Sequence, residues 1–254
     1  YKNLSLDYHE MSNNKKSIEY AKSILDVEGY NEWSLKHLIK LYKEHNDWEN
    51  ATEYLKILFK VKNITDNEKL ALYKIQIGRI HLKNNKFELA RSLFEEAMEL
   101  ASYLYIGYFF IGNSFAEESN VIYDNSIELD EDLNSSLEKN EESQKMKLEA
   151  ENILSKAITM WGHFIESMPE YSWLILPTLK DALQALHRYD DIEKFLNQAN
   201  ESNNKNNVDI SSHLADFYAN KGEIDKALKR NLEKQIRITE SNTENNSPPV
   251  EEMV

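Results

Sequence analysis

Apolar residues recur along this chain at helical spacing, and they recur in the same order. In NNKFELARSLFEEA (84–97), Ala90, Phe94 and Ala97 stand at offsets 0, +4 and +7, on one face of a helix. The small–large–small face returns at Ser17–Ala21–Ile24, Ala51–Leu55–Leu58, Ala157–Trp161–Phe164 and Ile192–Leu196–Ala199. It is present at its first position alone in Ala227. The anchors at 17, 51, 90, 157, 192 and 227 are spaced by 34, 39, 67, 35 and 35 residues, and 67 is close to two periods.

A second element comes thirteen residues before most anchors. It reads large, small, then aromatic or His at +0, +1 and +4: Leu4–Ser5–Tyr8, Leu38–Ile39–Tyr42, Ile77–Gly78–His81 and Leu214–Ala215–Tyr218. Polar turns (MSNNKK, EHND, KNNK, NKGE) separate the two elements. Each unit is therefore predicted to be a pair of helices. The small residue lets the partner helix approach, and the ring fills the wedge between them. One such pair cannot bury its apolar face alone, so the units are expected to stack. Tyr8, Tyr42, Tyr218, Phe94 and Trp161 are read as packing residues, not as a ligand cage.

This pattern resembles the tetratricopeptide repeat. The resemblance implies an all-α, right-handed superhelix (α-solenoid) of about six to seven helix pairs over residues 1–240. The polar stretch 241–254, with its adjacent prolines, is expected to be a linker-like tail.

The register is disturbed between Ala90 and Ala157. Tyr103, Ile106, Gly107 and Phe110 suggest a first helix over 103–110, and two partners for it are open. One is a degenerate repeat end over 119–132. The other is 149–167, which leaves an acidic insertion near 118–148; the strong helical pattern of EAENILSKAITMWGHFIES favours it. Residues 117–149 hold 11 acidic and 3 basic groups, the composition of a solvated face or a loop. Pro169 is expected to end the preceding helix, and Pro177 to kink the next or mark its start.

Composition narrows the function classes. The chain has 254 residues with only 6 Gly, 4 Pro and no Cys, so disulfides, thiolate metal sites and Cys nucleophiles are excluded. Net charge is −14, and residues 101–200 carry 7 basic against 18 acidic groups. A chain this acidic is not expected to bind nucleic acid. No apolar run approaches the ~18 residues of a membrane span. The seven histidines form no His-Glu-x-x-His arrangement, and no glycine-rich phosphate loop is present. The expectation is a protein with no catalytic residues, no metal and no cofactor, which binds protein or peptide partners.

Partners are expected on the concave wall that first helices line in such an array. Its candidate residues are Trp33, Lys36, Lys40, Lys43, Arg79, Lys83, Leu104 and Tyr108, with Leu72, Leu82 and Ile111 beside them. Asp181, Gln184, Asp216 and Asn220 follow, so the wall is expected to run from basic through apolar to acidic. Repeat variants that clamp a C-terminal carboxylate need Asn one turn after Lys; here Lys36 is followed by Lys40, and that clamp is not expected.

LYKEHNDWENATEYLKILFKV (41–61), the unit before it and the Trp161–Phe164–Ile165–Pro169–Glu170 series followed by LPTL also resemble the bacterial lipopolysaccharide assembly protein B family. That resemblance implies a cytoplasmic adaptor at the inner membrane. It would couple a membrane protease to the lipid A deacetylase. The family's membrane anchor and C-terminal cysteine module would lie outside this chain, whose start at Tyr1 is read as that of a fragment or processed product. A generic scaffold in another envelope or pilus machinery is the alternative.

Overall fold

A computed structural model describes residues 1–131, 137–201 and 208–245. Those residues are all-α and hold no strand. They form six helix pairs: α1 (Lys2–Glu10) with α2 (Asn14–Glu28), α3 (Glu32–Glu44) with α4 (Trp48–Lys62), and α5 (Asn67–Lys83) with α6 (Phe87–Leu100). Then come α7 (Ile106–Glu131) with α8 (Leu137–Ser167), a 3₁₀ turn (Pro169–Leu174) and α9 (Leu176–Ala185) with α10 (Tyr189–Glu201), and α11 (Val208–Asn220) with α12 (Ile224–Asn245). The chain divides into two compact units, Tyr1–Gly107 and Tyr108–Val254. In the first unit each helix packs on the helices before and after it in sequence, the nearest-neighbour arrangement of a repeat array.

The pair-closing turns explain why the period is kept. Ser12, Asn46, Asn85, His187 and Gly222 all adopt positive φ, between 55° and 80°. Each stands five residues before its anchor at 17, 51, 90, 192 or 227. The next residue's amide then donates to the carbonyl five positions back: Asn13 to Tyr8, Asp47 to Tyr42, Lys86 to His81, Arg188 to Leu183 and Glu223 to Tyr218, all at 2.8–2.9 Å. This left-handed cap satisfies an orphan carbonyl of the first helix and aims the second one back along it. Asp47 also caps α4, accepting from the Asn50 amide at 3.1 Å.

Packing inside the pairs follows the small–large rule. Phe94 of α6 lies on Gly78 of α5 so closely that a Cβ there would stand 2.5 Å from Phe94 Cε1. Trp161 of α8 lies on Gly112 of α7 in the same way. This fixes the first helix of the fourth pair. Its matching residues are Ile111, Gly112 and Phe115, not Ile106, Gly107 and Phe110. Gly107 instead faces Met98 of α6.

The acidic stretch 118–148 prolongs both helices of that pair on either side of residues 132–136, which lie outside the described residues. Of the two partners open to the first helix, the structure pairs α7, which begins at Ile106, with α8, the helix that contains 149–167. Small residues seven apart on α7 (Gly112, Ser119, Ser126) meet small residues seven apart on α8 (Ala157, Ala150, Ser143), all buried. Ser119 Oγ donates to the Ala150 carbonyl at 2.7 Å, and Ser143 Oγ to the Ser126 carbonyl at 3.0 Å. Serine thus fits a close helix approach while satisfying its own hydroxyl. Asp124, Glu128, Asp130, Glu141 and Glu142 are exposed.

Pro169 follows the end of α8, and Pro177 lies in the first turn of α9, where its missing amide costs nothing. At the chain's far end α12 continues to Asn245, past the boundary expected at 240. The remainder of the expected tail, 246–254, lies outside the described residues.

Candidate protein-binding faces

The first-helix face of the first unit is built around α3. Trp33, Lys36, Lys40 and Lys43 fall on one side of it by their spacing, and Lys36 and Lys40 are exposed. Their charge is partly matched along the same helix: Lys36 Nζ lies 2.6 Å from Glu32 and Lys40 Nζ 3.8 Å from Glu44. Glu32 also receives Lys62 at 3.0 Å. Hydrogen bonds from Lys36 and then Lys62 hold its carboxyl at about 2. Lys43 leans over the rings of Trp48 and Tyr73 at 5.5 and 5.7 Å, tying α3 to α4 and α5. On α5, Arg79 Nη1 donates to Gln76 Oε1 at 3.0 Å, and Lys83 is exposed in the last turn. Leu72 is exposed, whereas Leu82 is a core residue and leaves the candidate wall. Leu104 is half-buried in the connection before α7.

The sequence did not reveal what stands behind Trp33. Its ring stacks on His37 at 5.0 Å, and Lys2 of α1 caps it from 4.4 Å. His37 is buried and meets Ser5 Oγ at 3.0 Å through Nε2. Ser5 Oγ donates to the Ser17 carbonyl at 2.8 Å, and Ser17 Oγ donates back to the Ser5 carbonyl at 2.7 Å. With the Ser5 proton so used, His37 Nε2–H is the donor to Ser5. His9 lies edge-on to His37 at 6.0 Å and reaches Glu44 at 3.5 Å. Burial, then the neighbouring His9 and Lys40, push the His37 imidazole below its ordinary range, with Glu44 opposing. The only signal in the sequence was a serine at two positions where other units carry Ala, Gly or a larger apolar residue.

The second unit presents a different face. Tyr108 packs against His163 at 5.5 Å, while Ile111 is core. On α7, Phe109, Asn113 and Glu117 stand at four-residue spacing. Together with Leu174, Ile175 and Thr178 they line a recess of 250 Å³. Trp161 Nε1 donates to Asn113 Oδ1 at 3.0 Å and fixes that amide. Glu117 is solvent-accessible within the recess, and the surrounding protein pushes its carboxyl above the ordinary range.

Among the described residues no group of His, Asp and Glu is placed to hold a metal ion, and no helix is long and apolar enough to cross a membrane.

No family model matches the chain, and no curated protein does. Solved structures do match. A TPR repeats protein from Bacteroides fragilis is 14% identical, with 73% of this chain and 96% of that one covered and a TM-score of 0.41. MamA is 13% identical over 96% and 99%, with a TM-score of 0.37. The TPR2AB domain of yeast Sti1, solved in complex with pHSP90, is 14% identical over 95% and 91%, with a TM-score of 0.35. Overlaps at this level describe a likeness and carry no correspondence between residues.

Proposed function

We propose that this chain is a non-catalytic scaffold that holds segments of partner proteins against the first-helix faces of its repeats. The observation that supports it is the division of labour within the second and third pairs. Turns, anchors and glycine contacts stabilise the stack, and the exposed first-helix residues Lys36, Lys40 and Lys83 take no part in that core. Around α3 and α5 the face is basic, with Trp33 as its aromatic floor, and it suits an acidic partner segment. The test is fluorescence anisotropy of the full chain with a labelled Asp/Glu-rich peptide pool. Binding is expected for the wild type and is expected to be lost when Lys36, Lys40 and Arg79 are changed to Glu. Equal binding by the reversed variant removes this face from the reading.

The resemblance of residues 41–61 narrows the reading to a regulatory adaptor of lipopolysaccharide synthesis. Its test is co-purification with the lipid A deacetylase. Failure there leaves an assembly scaffold in another envelope or pilus machinery, using the same faces for other partners.

A further inference from the structure

The recess between α7 and α9 differs in charge from the face around α3. No Lys or Arg lines it, and Glu117 is its one charged wall residue. Among the described residues Glu117 has no cationic partner: no ion pair reaches it, and burial alone accounts for its raised carboxyl. Glu117 thus stands at the recess with its carboxylate accessible to solvent and no cation beside it among the described residues. Glu193 and Glu223, by contrast, each have a lysine beside them, Lys221 at 3.3 Å and Lys226 at 2.5 Å.

The rest of the lining defines what would enter. Phe109, Leu174 and Ile175 offer apolar walls for an aliphatic stem. Asn113 accepts from Trp161 through Oδ1, so its amide nitrogen remains to donate to an incoming carbonyl. Asn120 and Thr178 stand at the same recess and are exposed. An apolar passage, one carboxylate and a fixed amide donor match a long cationic side chain on an extended backbone.

We infer that the α7–α9 recess is a subsite for a lysine or arginine side chain of a partner segment, with Glu117 as its counter-ion and Asn113 holding the segment's backbone carbonyl. The inference rests on the scaffold reading and adds a second specificity, opposite in sign to that of the α3 face.

The experiment uses labelled peptide pools that share one flanking composition and fix Lys, Arg, Glu or Ala at the central position, bound to the full chain and followed by anisotropy. The wild type is expected to prefer the Lys and Arg pools over the Glu and Ala pools by at least about tenfold. Glu117→Gln should abolish that preference, Glu117→Lys should turn it toward the Glu pool, and Glu149→Gln, an exposed change on α8, should leave it intact. Circular dichroism of each variant confirms that the helices are retained. Equal affinity for all pools, a preference that survives Glu117→Gln, or binding of no pool overturns the inference. Acidic-pool binding that depends on Lys36 and Lys40, seen without any preference at Glu117, would end the subsite and leave the scaffold reading standing.

Discussion

Ser5 Oγ and His37 Nε2 stand 3.0 Å apart in the interior, joining the first helix of one pair to the first helix of the next. The same oxygen donates to the Ser17 carbonyl on α2, so one hydroxyl links three helices. Ser5→Ala removes a partner from a buried imidazole and from a buried carbonyl. It should destabilise the fold by about 1–3 kcal/mol, and Ser17→Ala added to it should cost less than it does alone, because the network is shared. Urea denaturation of the two single variants and the double variant measures this; strict additivity would contradict the network.

The position of His37 also predicts a pH dependence. Its folded imidazole is pushed below its usual 6.5, so the unfolded chain binds the proton more readily. The neutral form's contribution to stability is complete above pH 6.5 and is lost as pH falls from there through the lower folded value. Chemical stability should decline below pH 6.5, before carboxylates titrate, and His37→Gln should flatten that part of the profile. A variant as steep as the wild type between pH 6.5 and 5 would assign the decline elsewhere.

Gly78 and Gly112 each receive an aromatic ring from the second helix of their own pair. Alanine is the better helix former by roughly 1 kcal/mol, yet Gly78→Ala should lower stability by about 1–3 kcal/mol, because the added methyl meets Phe94. Adding Phe94→Leu should recover part of that loss. A Gly78→Ala protein with an unchanged or raised Tm would show that the ring is not tightly held.

The turns give a prediction of opposite sign at two equivalent places. Gly222 has φ near 80° with nothing near an added Cβ, so Gly222→Ala carries only backbone strain, about 1–2 kcal/mol. His187 holds φ near 55° with a side chain, so His187→Gly should stabilise by a few tenths to about 1 kcal/mol. Thermal melts of both variants followed by circular dichroism test the pair.

Much of this architecture was legible because helix packing writes itself at fixed offsets. The anchors at 17, 51, 90, 157, 192 and 227 begin the apolar faces of the second helices, and Tyr42, Phe94, Trp161 and Tyr218 are buried among them. The first helix of the fourth pair was misplaced for a physical reason. Ile106–Gly107–Phe110 and Ile111–Gly112–Phe115 offer the same large–small–aromatic spacing, and only the approach of Trp161 to Gly112 chooses between them. That shift hid Asn113 and Glu117, which the wrong register leaves off the available face. The extension of α7 to Glu131 and of α8 from Leu137 was hidden by acidity, which dominates the composition there. The seam of Ser119, Ser126 and Ser143 uses residues that composition reads as loop. On α3, Glu32 and Glu44 stand four residues from Lys36 and Lys40, and the pairs they form offset part of the basic charge that Trp33, Lys36, Lys40 and Lys43 suggest when taken alone.

The five left-handed turns have a consequence for how this chain can change over time. Each returns the backbone along the same path with a serine, asparagine, histidine or glycine at its hinge, so the connection does not depend on any one side chain. A helix pair with its turn is then a cassette. Duplication or loss of a block of about 35 residues, cut at equivalent points, would keep every remaining pair in phase, whereas removal of a few residues inside one would not. The lengthened fourth pair is a variation such a system tolerates, since both of its helices grew together and the seam between them kept its step of seven.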